Sequence, residues 1–209
     1  MVSKRPGPPS SLTLGQIARA SVAVADEHGL TGLTMRRLAD TLGVSAAGLY
    51  RYVDSREVLI DLTVDELVGE LRHPAPTGDW LADIVGLARQ QRALYAAHPW
   101  LSHAVAGVRR LGPRTLDHFE WGLAVLEPLT APTATKMEAL ALANGLASLF
   151  AGAAHAGSGA NALGGLVATQ HPRLAAALAA AAATPPADPF ERALTSLLTG
   201  LLEARGDAP

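Results

Sequence analysis

The chain has no cysteine among its 209 residues, which removes disulfides, thiolate metal sites and cysteine nucleophiles together. It has no apolar run of the roughly 20 residues that a bilayer span requires. The longest apolar stretches, such as Leu174–Ala183, stop far short of that. Residues Met1 to Ser11 carry Lys4 and Arg5 but lack the apolar core of a secretory leader. No segment alternates β-branched and polar residues as a half-buried strand does, and none repeats. These absences predict an all-α, cytoplasmic protein with no membrane association.

Hydrophobic residues make up 49% of the chain, enough to build a core. The net charge of −2 argues against a nucleic-acid partner until its distribution is considered. Through Arg56 seven basic residues face four acidic ones, a surplus of +3; the remainder holds ten bases and fifteen acids, −5. A basic head on an acidic body suits a module that faces phosphates while its other half does something else.

Apolar spacing and capping residues predict the elements. Thr13–His28 reads as a helix ended by Gly29, and Thr34 opens a second with Met35, Leu38, Ala39 and Leu42 buried. Gly43 stops it, Ser45 caps a third helix expected to reach about Val53, and Asp54 or Ser55 caps a fourth expected to reach Leu71. His73-Pro-Ala-Pro-Thr-Gly78 reads as a linker. Further helices are predicted over 79–98, 101–110, 113–126, 133–154, 172–183 and 189–204, with Gly157–Gly165 as a loop and Ala175–Ala183 as a spacer helix without chemistry. The expected organisation is a flexible basic arm over 1–11, a DNA-binding unit with its connecting helix over 12–72, and a ligand-binding and dimerisation body over 79–205.

Within Leu38–Tyr50 a small residue, Ala39, is followed four positions on by Gly43 and six beyond that by Leu49. This suits two helices crossing closely, a positive-φ turn between them, and a plug for the second helix. A helix-turn-helix has this form, with its second helix projecting into the DNA major groove. The spacing alone leaves an ordinary helical corner equally open.

The flanks decide. Gly32-Leu-Thr-Met-Arg-Arg-Leu-Ala39, Leu42-Gly-Val-Ser45, Gly48-Leu-Tyr-Arg-Tyr-Val53 and Ser55-Arg-Glu-Val-Leu59 resemble the TetR family of regulators. Gly78-Asp-Trp80, His98-Pro-Trp-Leu101 and Leu111-Gly-Pro113 more loosely resemble the tetracycline-repressor type of C-terminal domain. The resemblance implies a three-helix DNA-reading head joined by a long helix to a larger body that holds a small-molecule effector and the homodimer interface. Two heads would sit on a palindromic double-stranded operator, with repression as the family default.

In that frame Thr34 caps its helix and meets phosphate. The resemblance places Arg36 at a base edge, where an arginine can bridge guanine O6 and N7. Arg37, Arg51, Ser45, Lys4 and Arg5 are further expected contacts. Ala46, Ala47 and Gly48 leave the reading helix nearly apolar, able to touch thymine methyls but not to hydrogen-bond. Tyr50 and Tyr52 carry hydroxyls for phosphates or bases and are both expected DNA contacts; the alternative is that one of them, Tyr52 before Tyr50, packs inward. Arg56 keeps a charge at the fourth helix start, whose N–H groups also suit phosphate. In the body Trp100, His103, His118, Trp121 and Asn144 are the expected ligand contacts, around an apolar or aromatic effector. The leucines of 133–154 and 189–204 are expected to pair across the dimer, with Ala143, Gly145 and Ala147 admitting close approach. The connecting helix and the 73–78 linker are expected to carry the effector's signal to the head. No metal or cofactor is expected. An enzyme is not expected, because no His-Glu-x-x-His motif or nucleophile elbow occurs. An ungated or protein-controlled DNA-binding regulator is the alternative.

Overall fold

A computed structural model describes residues 12–153, 171–183 and 189–203. The 1–11 arm with Lys4 and Arg5, and the Gly157–Gly165 stretch, lie outside the described residues. Those described form ten helices and no strand. In chain order they are α1 (Leu14–Gly32), α2 (Met35–Leu42), α3 (Ala46–Leu49), α4 (Arg56–Val68), α5 (Trp80–Ala97), α6 (Leu101–Ala106), α7 (Pro113–Leu126), α8 (Thr133–Ala153), α9 (Pro172–Ala183) and α10 (Pro189–Leu202).

The chain divides into two compact units, one of residues 1–71 with 100–118, the other of 72–99 with 119–209. In the first, α1 packs on α2, α4 and α6, α2 on α3, and α4 on α6. Its core is built from Ile17, Val24, Leu38, Leu49, Leu59 and Leu67, with Leu101 from α6. Each such side chain contributes about 1.5–3 kcal/mol on burial. Gly29, at φ 69° and ψ 172°, interrupts α1 where its end was expected.

In the second unit α8 packs on α5 and α10, and α5 on α10. Its inner face is a ladder of Ala139, Ala143, Ala147 and Ala151, four residues apart, so α8 lies close to the helices bearing Ile84, Leu87, Phe190, Leu194 and Leu198. Ala143 and Ala147 therefore serve packing within one protomer, not the outer face expected of them. That outer face presents Leu142 and Leu149, with Gly145 exposed on the same side. Arg89 makes a two-pronged ion pair with Glu191 at 2.5 and 2.6 Å. Arg92 stacks 4.7 Å above the Phe190 ring.

The proline-rich stretch after α4 is tied down along its length. The Arg72 N–H donates to Gln90 (2.9 Å), the Thr77 N–H to Asp83 (2.8 Å), and the Trp121 indole N–H to the Pro74 carbonyl (2.6 Å). It is an ordered strap on the second unit. Helix α4 stops at Val68, three residues before the expected Leu71, and α6 covers only 101–106 of the predicted 101–110.

Candidate nucleic-acid interface

Local chemistry sets the α2–α3 corner. The Thr34 hydroxyl caps α2 by accepting the Arg37 N–H at 3.2 Å, and the Ser45 hydroxyl caps α3 by accepting the Gly48 N–H at 3.0 Å. Gly43 turns the chain between them at φ 66°, ψ 29°, a left-handed conformation that a Cβ disfavours. Ala39 and Leu49 are fully packed beneath the turn. Helix α3 ends at Leu49, not Val53; Tyr52 and Val53 turn back to hydrogen-bond the Leu49 carbonyl.

This corner leaves a short, mostly exposed surface. Arg36 and Arg51 are exposed, and neither side chain makes a hydrogen bond or ion pair among the described residues. Tyr50 is 49% exposed and Tyr52 38%, so neither packs inward. Ala47 is exposed beside them, with Ala46 and Gly48 half-buried. Thr34 and Ser45 remain exposed while capping.

Arg37 and Arg56 are placed differently. Arg37 donates to the Gly32 carbonyl at 2.7 Å. Arg56 is half-buried and donates to the carbonyls of Leu33 (2.9 Å) and Leu30 (2.6 Å), closing the end of α1 and the loop to α2. Its guanidinium is committed to backbone, in contrast to the phosphate role expected of it. The start of α4 also holds a carboxylate: Glu57 titrates below its ordinary value, first through its own backbone N–H and then through the Ser55 hydroxyl. A phosphate there would meet a negative charge.

The five expected ligand contacts fall in both units. In the first, Trp100 is buried with its indole N–H on Asp26 (2.7 Å), His118 is buried, and His103 is exposed beside the Ser102 hydroxyl. In the second, Trp121 is spent on Pro74 as described, and the Asn144 side-chain oxygen accepts from the Tyr95 hydroxyl (3.0 Å) and Gln91 (3.2 Å). Gln91 and Tyr95, buried one turn apart on α5, were missed by sequence reasoning; their i, i+4 spacing was the available signal. A recess of about 170 Å³ in the first unit, lined by Asp61, Asp65 and Leu111 among others, is smaller than an ordinary ligand pocket of roughly 300 Å³ or more.

Known proteins match both parts of the chain. The model described as bacterial regulatory proteins, tetR family, matches residues 17–62, and that of the tetracyclin repressor-like C-terminal domain matches residues 73–205. The chain belongs to the TetR family. Among curated TetR-type relatives, the HTH-type transcriptional repressor DrrR1 of Streptomyces coeruleorubidus is 40% identical over 125 residues, covering 59% of this chain and 46% of that protein. The class A tetracycline repressor from transposon 1721 in Escherichia coli is 31% identical over 101 residues, 47% of each chain. The chain spans about half the length of the curated relatives it matches. Among solved TetR structures, apo ActR from Streptomyces coelicolor superposes with a TM-score of 0.81 at 27% identity, covering 97% of this chain and 100% of ActR. ActR in complex with actinorhodin gives 0.80 at 26%, over 95% and 100%.

Proposed function

We propose that the chain is a cytoplasmic, homodimeric, sequence-specific DNA-binding regulator, a repressor released from a palindromic operator by a small apolar or aromatic molecule. The observation that carries this reading is the exposed rim of the helix-turn-helix, where Arg36, Arg51, Tyr50 and Tyr52 stand around a capped α3. Arg36 is suited to guanine, Ala46 and Ala47 to thymine methyls, and the tyrosine hydroxyls to phosphate. The apolar outer face of α8, with Leu142, Leu149 and Gly145, supports a dimer that presents two heads. A relative named as a repressor and a neighbour solved with actinorhodin support repression and an effector held in the 79–205 body. In this reading residues 12–72 form the DNA-binding and connecting part, and 100–118 travel with it, as their packing indicates.

The test is base-specific. Against a palindrome selected from a random-sequence pool, Arg36→Ala is expected to cost about 1–3 kcal/mol and to relax preference at one symmetric position. A loss spread evenly over all sequences would demote Arg36 to a phosphate contact.

A further inference from the structure

Four carboxylates of α1 and α4 hold the 100–118 segment to the first unit. Asp26 accepts the Trp100 indole N–H, and Asp61 accepts the Arg109 backbone N–H at 3.1 Å. Asp65 accepts both the N–H and the hydroxyl of Thr115, each at 2.9 Å. Glu66 pairs with Arg114 and, at 3.7 Å, with Arg19 of α1. Asp61 and Asp65 are buried one turn apart on a single face of α4.

Asp65 occupies a distinctive place. Helix α7 begins at Pro113, so Thr115 lies in its first turn, where N–H groups lack partners within the helix and the dipole is positive. The carboxylate of one helix thus serves as the N-terminal cap of another 50 residues on. The backbone is shaped to admit it: a Cβ on Gly112 would lie 2.2 Å from the Asp65 carboxyl carbon, which two hydrogen bonds hold in place. This explains the glycine in Leu111-Gly-Pro113, which the head's DNA chemistry leaves unaccounted for. Helix α7 runs unbroken to Leu126; its residues through His118 belong to the first unit and those from Phe119 to the second.

We propose that Asp65 is a coupling residue, whose cap on α7 makes α4 and α7 one mechanical element, so that operator binding at the head and any displacement of α7 share one equilibrium. The proposal rests on the DNA-binding reading. To the route that the sequence suggested, through the connecting helix and the 73–78 linker, it adds a hydrogen-bonded contact between α4 and α7.

Linkage supplies a test that needs no effector, because a coupled element must respond when the head is bound. Hydrogen–deuterium exchange is measured at the amides of Asp117 to Phe119, with and without a palindromic duplex that the wild-type full chain enriches from a random-sequence pool. The readout is the ratio of free to bound exchange rates, since a merely structural loss speeds exchange in both states and leaves the ratio alone. In wild type, slowing of about fivefold or more is expected on duplex binding. Asp65→Ala should lower the ratio in α7 by at least half, the Glu66–Arg114 pair remaining, while leaving it intact over residues 34–59. Thr115→Val, which removes only the hydroxyl donor, should reduce it partway and serves if Asp65→Ala does not fold. A wild-type ratio of one in α7, or equal ratios in wild type and variants, overturns the coupling and leaves the DNA reading standing. Failure to enrich any duplex overturns both.

Discussion

Replacing Arg56 by alanine separates a phosphate contact from a structural clamp. The side chain donates to the Leu30 and Leu33 carbonyls, across 26 and 23 residues, from a half-buried position. A hydrogen bond from a charged donor is worth about 1.5–3 kcal/mol, and partial exposure reduces what two of them deliver. Arg56→Ala is therefore expected to cost roughly 2–3 kcal/mol overall. For a chain of this size each kcal/mol lowers Tm by about 2–4 °C, so calorimetry should show a fall of about 5–10 °C. The dependence of duplex affinity on salt should keep its slope, because a guanidinium held on backbone carbonyls displaces no counterion from DNA. A phosphate contact would instead reduce that slope by about 0.9 per protomer. An unchanged Tm with a shallower slope would refute the clamp.

Other expected outcomes follow from the same contacts. Gly43→Val, which places a β-branched residue at φ 66°, should cost about 1–3 kcal/mol by denaturant melting, whereas Gly43→Asn should cost markedly less; equal losses would contradict the strain argument. Burial raises the Tyr95 hydroxyl above its ordinary value of 10.0, with the Asn144 hydrogen bond pulling the other way. The neutral phenol is the form the fold favours, so its stabilisation is complete below about pH 10 and is lost as pH rises through the raised folded value. Tyr95→Phe should flatten the alkaline limb of Tm against pH, and an unaltered limb would count against it. Arg89→Ala, which breaks a largely exposed ion pair with Glu191, should change stability by at most about 1 kcal/mol. Leu149→Glu on the outer face of α8 should yield monomers in sedimentation; an intact dimer would place the interface elsewhere.

Short-range chemistry in this chain was legible and long-range chemistry was not. Thr34 and Ser45 cap the helices where their spacing predicts, and of Asp54 and Ser55 it is Ser55 that caps the fourth, since a hydroxyl and an N–H three residues on are all that a cap requires. Gly29 and Gly43 mark their turns for the same local reason. The early end of α3 escaped prediction: after Leu49 the chain turns, with the Tyr52 and Val53 N–H groups both on the Leu49 carbonyl and Val53 buried, which apolar spacing alone does not reveal. Arg56 is expected at DNA from the family pattern, and Trp100 and Trp121 at the ligand; the polar atoms of all three meet Leu30, Leu33, Asp26 and Pro74, partners 23 to 74 residues away that no local pattern reveals. The grouping of 100–118 with the head rests on carboxylates of α1 and α4 that hydropathy patterns treat as surface. The exposed rim of Arg36, Tyr50 and Arg51 was legible because no distant segment among the described residues claims it.

The central claim is that this rim binds DNA. Fluorescence anisotropy of the full chain with the selected palindromic duplex, titrated across a series of potassium chloride concentrations, tests it most directly. The account predicts two protomers per duplex and an association constant whose logarithm falls linearly with that of salt, at about 0.9 per phosphate neutralised. An affinity indifferent to salt, or equal for the palindrome and a scrambled duplex of the same composition, would contradict it.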